Sequence, residues 1–85
     1  MKVMLLTAKW CPYCPSAKKI WEEARKEAKF DYEEIDIETP KGKELVDKHS
    51  VMSIPTTILQ DESGTQKVAF VGVPTKQKAL DLVKK

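Results

Sequence analysis

The chain has 85 residues, 41% hydrophobic and 33% charged, with a formal net charge of +2. That length provides for one domain, residues 1–85, and leaves no room for a second core. The small net charge, with lysines dispersed among acids, argues against nucleic acid, and no segment approaches the roughly 20 apolar residues that span a membrane.

The first eight residues, Met1 to Ala8, have the outline of an export signal. Lys9 interrupts it, and it runs straight into Cys11-Pro12-Tyr13-Cys14, which cleavage would destroy. Export is therefore rejected and a cytoplasmic chain expected. Val3 to Ala8 is nearly continuous in apolar character and predicts a strand buried on both faces. From Pro15 the period changes. Ala17, Ile20, Trp21, Ala24 and Ala28 recur at helical spacing, with Lys and Glu on the other faces. Phe30 to Ile37 alternates and is rich in Tyr and Ile, which predicts a second strand. These three elements form a βαβ unit, hence a parallel pair with a right-handed crossover.

Thr39-Pro40 opens a short helix, with Thr39 as N-cap and Leu45 and Val46 facing inward. Ser50 to Ile54 is a loop. Thr56 to Leu59 and Val68 to Val71 are strands of an antiparallel hairpin around the turn Asp61-Glu62-Ser63-Gly64. Gly72 and Pro74 break the chain, and Thr75 caps a last helix with Ala79, Leu80 and Val83 inward. The order βαβαββα packs as a four-stranded mixed sheet with helices on both faces, an α/β fold with the first strand central and the second at an edge.

Cys11 and Cys14 are the only cysteines. Placed at the first turn of a helix, Cys11 would have its sulfur near unpaired N–H groups and the positive end of the helix dipole, which favour thiolate over thiol. Cys14 would lie one turn further along the same face, positioned to attack a mixed disulfide formed by Cys11. One close pair in an otherwise cysteine-free chain suits a catalytic disulfide in a reducing compartment. A zinc site would need two more ligands, and His49 is the only histidine, so no metal is expected. A structural disulfide closing so short a loop would add little stability. Pro12 and Tyr13 tune the site, Tyr13 as an exposed contact, and Trp10 shapes the groove beside the nucleophile. Trp21 belongs to the core, His49 complements a helix dipole, and Met52 and Ser53 line the loop that faces the dithiol.

In this order, Cys11-Pro12-Tyr13-Cys14 after the first strand and Ile54-Pro55-Thr56 before the third resemble the thioredoxin superfamily in its minimal form. The resemblance covers essentially the whole chain. It implies a cis Ile54–Pro55 bond facing the dithiol, with the Ile54 backbone open to an extended substrate strand. It also implies that Ile54, Pro55, Thr56, Gly72 and Val73 form the substrate groove. Cys-Pro-Tyr-Cys is similar to glutaredoxins, whereas Trp10, Ile54-Pro55-Thr56 and the lone Gly72 are similar to thioredoxins. Glutaredoxins place Gly-Gly and an acidic residue where this chain has Gly72-Val73-Pro74-Thr75. The buried aspartate of thioredoxins falls on Leu5.

The expected activity is reduction of protein disulfides by the Cys11/Cys14 dithiol, with no bound cofactor. The expected partners are disulfide-containing proteins and either a thioredoxin-reductase-type enzyme or a glutathione-like thiol that re-reduces the pair. The chain is expected to be a monomer. The alternatives are a glutathione-dependent glutaredoxin or an iron–sulfur carrier that holds a cluster through Cys11 of two subunits and external thiols.

Overall fold

The computed structural model describes residues 1–83. It runs β1 (Lys2–Thr7), α1 (Cys14–Ala24), β2 (Asp31–Asp36), α2 (Pro40–His49), β3 (Thr56–Gln60), β4 (Gln66–Val71) and α3 (Lys76–Val83). The sheet order is β2-β1-β3-β4. β1 lies parallel to β2 and antiparallel to β3, and β3 is antiparallel to β4. The mixed sheet, the inner place of β1 and the edge place of β2 are as the sequence predicts. The four central residues of β1, Val3 to Leu6, are buried on alternate faces, which explains their continuous apolar character.

The pleat divides these residues between two cores. Val3 and Leu5 pack with Leu59 against Ala17, Trp21 and Ala24 of α1 and Ala79, Leu80 and Val83 of α3. Met4 and Leu6 pack with Ile35 and Ile58 against Leu45 of α2. Helices therefore cover both faces. Trp21, fully buried, meets Phe30 edge to face at 5.7 Å between ring centroids. Its indole Nε1–H donates to the buried Thr57 Oγ1 at 3.3 Å, which satisfies both polar atoms.

Several boundaries differ from the sequence reading. α1 ends at Ala24, and Ala28 reaches the core from the turn that follows. β4 starts at Gln66, and its pairing steps from Thr57↔Phe70 to Ile58↔Val68, so Ala69 is inserted as a bulge. The two later helices are capped as predicted. Thr39 Oγ1 accepts the Gly42 N–H at 3.1 Å, and Thr75 Oγ1 accepts the Lys78 N–H at 3.1 Å. His49 ends α2, and its Nε2 lies 3.2 Å from Gln66 Oε1, a contact beyond the predicted dipole role.

Candidate active site

β1 delivers the chain to the sheet's upper end, where Ala8 and the next five residues turn it into α1. The Cys11 N–H donates to Ala8 O at 3.1 Å and closes that turn. Cys11 and Cys14 are joined as a disulfide, with Cα atoms 5.5 Å apart. The structure corrects the expected position of Cys11. The helix begins at Cys14, with Tyr13 as its N-cap, so Cys11 stands in the turn before the helix rather than in its first turn. Pro15 is compatible with this phase, since it falls in the first helical turn, where its missing N–H costs nothing.

The start of α1 is electrostatically open. Tyr13 has helical angles (φ −97°, ψ −11°), and among the described residues no side chain caps it. The first turn carries no acid either. End N–H groups and the positive pole of the helix dipole are thus left beside the sulfurs, which favours thiolate.

Burial does not separate the two cysteines. Cys11 is 6% exposed and Cys14 is 5% exposed. They pack with Ala8, Ile37 and Ile54. Beside this enclosed pair in the chain, Trp10 and Tyr13 are each 65% exposed, and Met52, in the loop before Ile54, is 95% exposed. Pro12 is also exposed. An apolar rim around a nearly buried disulfide suits contact with a large partner.

The Ile54–Pro55 bond is cis. Pro55 is buried, and Ile54 touches the cysteine cluster, so this loop and the dithiol lie together. The Thr56 hydroxyl donates to Ser53 O at 2.6 Å and holds the loop closed. Gly72 adopts φ 98°, a left-handed conformation that suits glycine, and its N–H donates to Pro55 O at 2.8 Å. That bond brings Gly72 beside the proline. Val73 is different: its side chain packs against the core beneath α1 and α3.

A hollow of about 290 Å³ opens beside the disulfide, lined by Thr7, Ala8, Lys9, Cys11, Cys14, Pro15, Lys18 and Glu34. A larger hollow, about 490 Å³, lies elsewhere, between Met1, Leu59, Lys78 and Leu82. Met1 and the cysteines sit at opposite ends of β1, so that hollow has no part in thiol chemistry. The small hollow at the sulfurs fits a reaction carried out on a partner's surface rather than on an engulfed small molecule.

The sequence reading missed Ile37, Lys18 and Glu34 as neighbours of the pair. Lys18 follows Cys14 by four residues, a spacing that places both on one helix face. Glu34 comes near only through the register that sets it opposite Leu5. Leu5, at the position where thioredoxins carry a buried aspartate, is fully buried and apolar. Further along the same side, burial foremost, then the charges of Glu34 and Glu22, push the Tyr32 phenol above its ordinary value, while Arg25 acts against them. Among the described residues no three His, Cys, Asp or Glu side chains gather for a metal ion, and no helix is long and apolar enough to cross a membrane.

Comparison with known proteins accords with this geometry. The family model described as thioredoxin domain matches residues 1–84. The thioredoxin of Methanocaldococcus jannaschii is 29% identical over 85 residues, which cover all of this chain and 94% of the relative. A probable thioredoxin of Methanothermobacter marburgensis is 31% identical over 85 residues, 98% of this chain and 92% of the relative. Among solved structures, a thioredoxin-like protein from Clostridium perfringens matches with a TM-score of 0.84 at 23% identity, over 96% of this chain and 67% of that one. Thioredoxin 1 of Thermosipho africanus matches with a TM-score of 0.74 at 17% identity, over 99% and 91% respectively. The structural likenesses establish the fold.

Proposed function

The chain belongs to the thioredoxin superfamily and is a thioredoxin-like thiol–disulfide oxidoreductase, and from that premise we propose that it reduces disulfides in other proteins by a two-cysteine mechanism. The observation that carries this reading is the Cys11–Cys14 disulfide at an uncapped helix start, with the Ile54–Pro55 loop packed beside it. Cys11 is the attacking residue. It stands in the turn flanked by exposed Trp10 and Tyr13, whereas Cys14 is held in the first turn of α1.

In the reduced protein the Cys11 thiolate attacks one sulfur of the substrate disulfide. A Cys11–substrate bond forms, and the other substrate sulfur leaves as a thiolate that takes up a proton. Cys14, deprotonated, then attacks Cys11 Sγ. The Cys11–Cys14 bond forms, the mixed disulfide breaks, and the second substrate thiol departs. Two electrons have passed from the dithiol to the substrate. A thioredoxin-reductase-type enzyme or a low-molecular-weight thiol returns them, so the disulfide itself is the only redox group and no cofactor is bound.

Trp10, Pro12 and Tyr13 tune the motif, and Ile54, Pro55, Thr56 and Gly72 build the groove, to which Val73 lends its backbone while its side chain packs inward. An extended substrate segment pairs with the Ile54 backbone beside the sulfurs. Residues 1–85 act as one domain, as a monomer, in the cytoplasm. The glutathione-linked alternative rests on Cys-Pro-Tyr-Cys and the short length, and it is weakened by Val73, Pro74 and Thr75, which follow Gly72 where glutaredoxins place a second glycine and an acidic residue.

Insulin reduction and turnover of a glutathione mixed disulfide, measured side by side, test this reading. The protein is expected to favour insulin. Cys11→Ser should abolish turnover, and Cys14→Ser should accumulate covalent substrate complexes on a non-reducing gel. Normal turnover by Cys14→Ser would overturn the two-cysteine mechanism.

A further inference from the structure

Lys18 and Glu34 line the hollow that contains Cys11 and Cys14, yet the exchange steps above use neither. Lys18 stands one turn beyond Cys14 on α1. Glu34 stands on β2 beside Leu5, on the face of the sheet that α1 covers. Lys18 Nζ and Glu34 Oε1 are 3.5 Å apart, so the pair bridges helix and strand at the wall of the dithiol hollow. We propose that Lys18 and Glu34 are positioning residues that jointly set the stability of the thiolate in the reduced site. The Lys18 ammonium favours the thiolate, and Glu34 draws part of that charge away.

The proposal rests on the dithiol reading given above. Other charges face the same region. Lys9 lines the hollow from the turn after β1 and adds a second positive charge. Along β2, the Asp36 carboxylate accepts the Glu38 N–H at 2.8 Å and so is engaged with the connection to α2. Further along the α1–β2 contact, Glu22, Arg25 and Tyr32 form a group that the Glu34 charge also reaches. Lys18 and Glu34 are the oppositely charged pair that shares the hollow with the sulfurs.

The effect on redox balance follows from protons. Reduction of the disulfide takes two electrons and two protons if both sulfurs become thiols, and one proton if one stays ionised. Stabilising the thiolate therefore favours the reduced protein and raises its potential. Removing Lys18 removes that support and leaves Glu34 to oppose the thiolate. Removing the charge of Glu34 frees Lys18 to face the sulfurs.

The test measures iodoacetamide alkylation of Cys11 against pH in a Cys14→Ser background. It also measures the equilibrium of the two-cysteine protein with reduced and oxidised glutathione. Lys18→Met is expected to slow alkylation at pH 7 about fivefold and to shift the equilibrium towards the disulfide. Glu34→Gln is expected to speed alkylation by a similar factor and to shift the equilibrium towards the dithiol. The double variant should lie near the parent, and Lys18→Arg should match it. Both side chains are partly exposed, 48% and 35%, so 1 M salt should shrink each effect. Shifts of the same sign in the two single variants, or shifts below twofold in both, would overturn the proposal. Insulin reduction lost in Cys11→Ser alongside unmoved alkylation profiles would remove this proposal and leave the exchange reading intact. Insulin reduction that survives Cys11→Ser would remove the exchange reading itself.

Discussion

α1 and α2 leave the same end of a parallel strand pair, and they begin in opposite ways. Before α2, Thr39 is extended (φ −80°, ψ 159°), accepts the Gly42 N–H, and donates its hydroxyl to Asp36 O at 2.6 Å. Lys41 then ties the first turn to Glu33 of β2 at 3.0 Å. Before α1, Tyr13 is already helical and offers no cap. The start of α2 is closed by side chains of its own sequence, whereas the start of α1, next to the sulfurs, has no side-chain cap. Stability and reactivity are thus assigned to different helix ends of one sheet edge.

The strongest way to break this contrast is at Gly42. A Cβ there would run into Asp36 O and come within 2.7 Å of Ile37 Cα, both backbone atoms that cannot yield cheaply. Gly42→Ala is expected to cost about 3 kcal/mol in chemical denaturation, while the alkylation profile of the surviving folded protein stays unchanged. Next comes Tyr13→Asp, which sets a carboxylate at the open start of α1. Cys11 alkylation at pH 7 should slow about fivefold, with little change in denaturation midpoint. An unchanged rate would show that the open helix end does not act on the sulfur.

Removing the cap of α2 should have a smaller effect of the other kind. Thr39→Ala is expected to lower stability by about 1 kcal/mol, with thiol reactivity unaffected. The smallest effect is a pH dependence. Hydrogen bonds from Lys2 and Lys41 hold the Glu33 carboxyl below its ordinary value. With a folded value depressed below the unfolded one, this stabilisation is present above the unfolded value near 4.3 and disappears as pH falls through the folded one. Glu33→Gln should therefore flatten the acid limb of the stability curve below about pH 5, visible in urea titrations at low salt.

Much of this architecture can be read from local pattern. The unbroken apolar run from Val3 to Leu6 betrays an inner strand, Thr39-Pro40 and Thr75 mark helix starts, and Trp21 falls on the buried stripe of α1. The exact start of α1 cannot be read this way. Tyr13 has none of the side-chain chemistry that signals a cap, and two prolines in four residues leave the helical phase open. Lys18 and Glu34 were illegible as a pair for a different reason. Their meeting depends on the register of β2 against β1, which is set by the crossover through α1 and by two cores rather than by any neighbouring residues. The Trp21–Thr57 hydrogen bond, between residues 36 apart in sequence, belongs to the same class.

The sheet ends on two strands, β2 and β4, whose outer edges have no neighbour in the sheet. Four of the six residues of β2 are acidic, and β4 carries Lys67 beside the bulge at Ala69. A second copy laid along β2 would bring like charges into register, and the bulge denies β4 the even ladder that strand addition requires. The same charges and irregular backbone that look incidental within one molecule thereby weigh against edge-to-edge pairing between molecules.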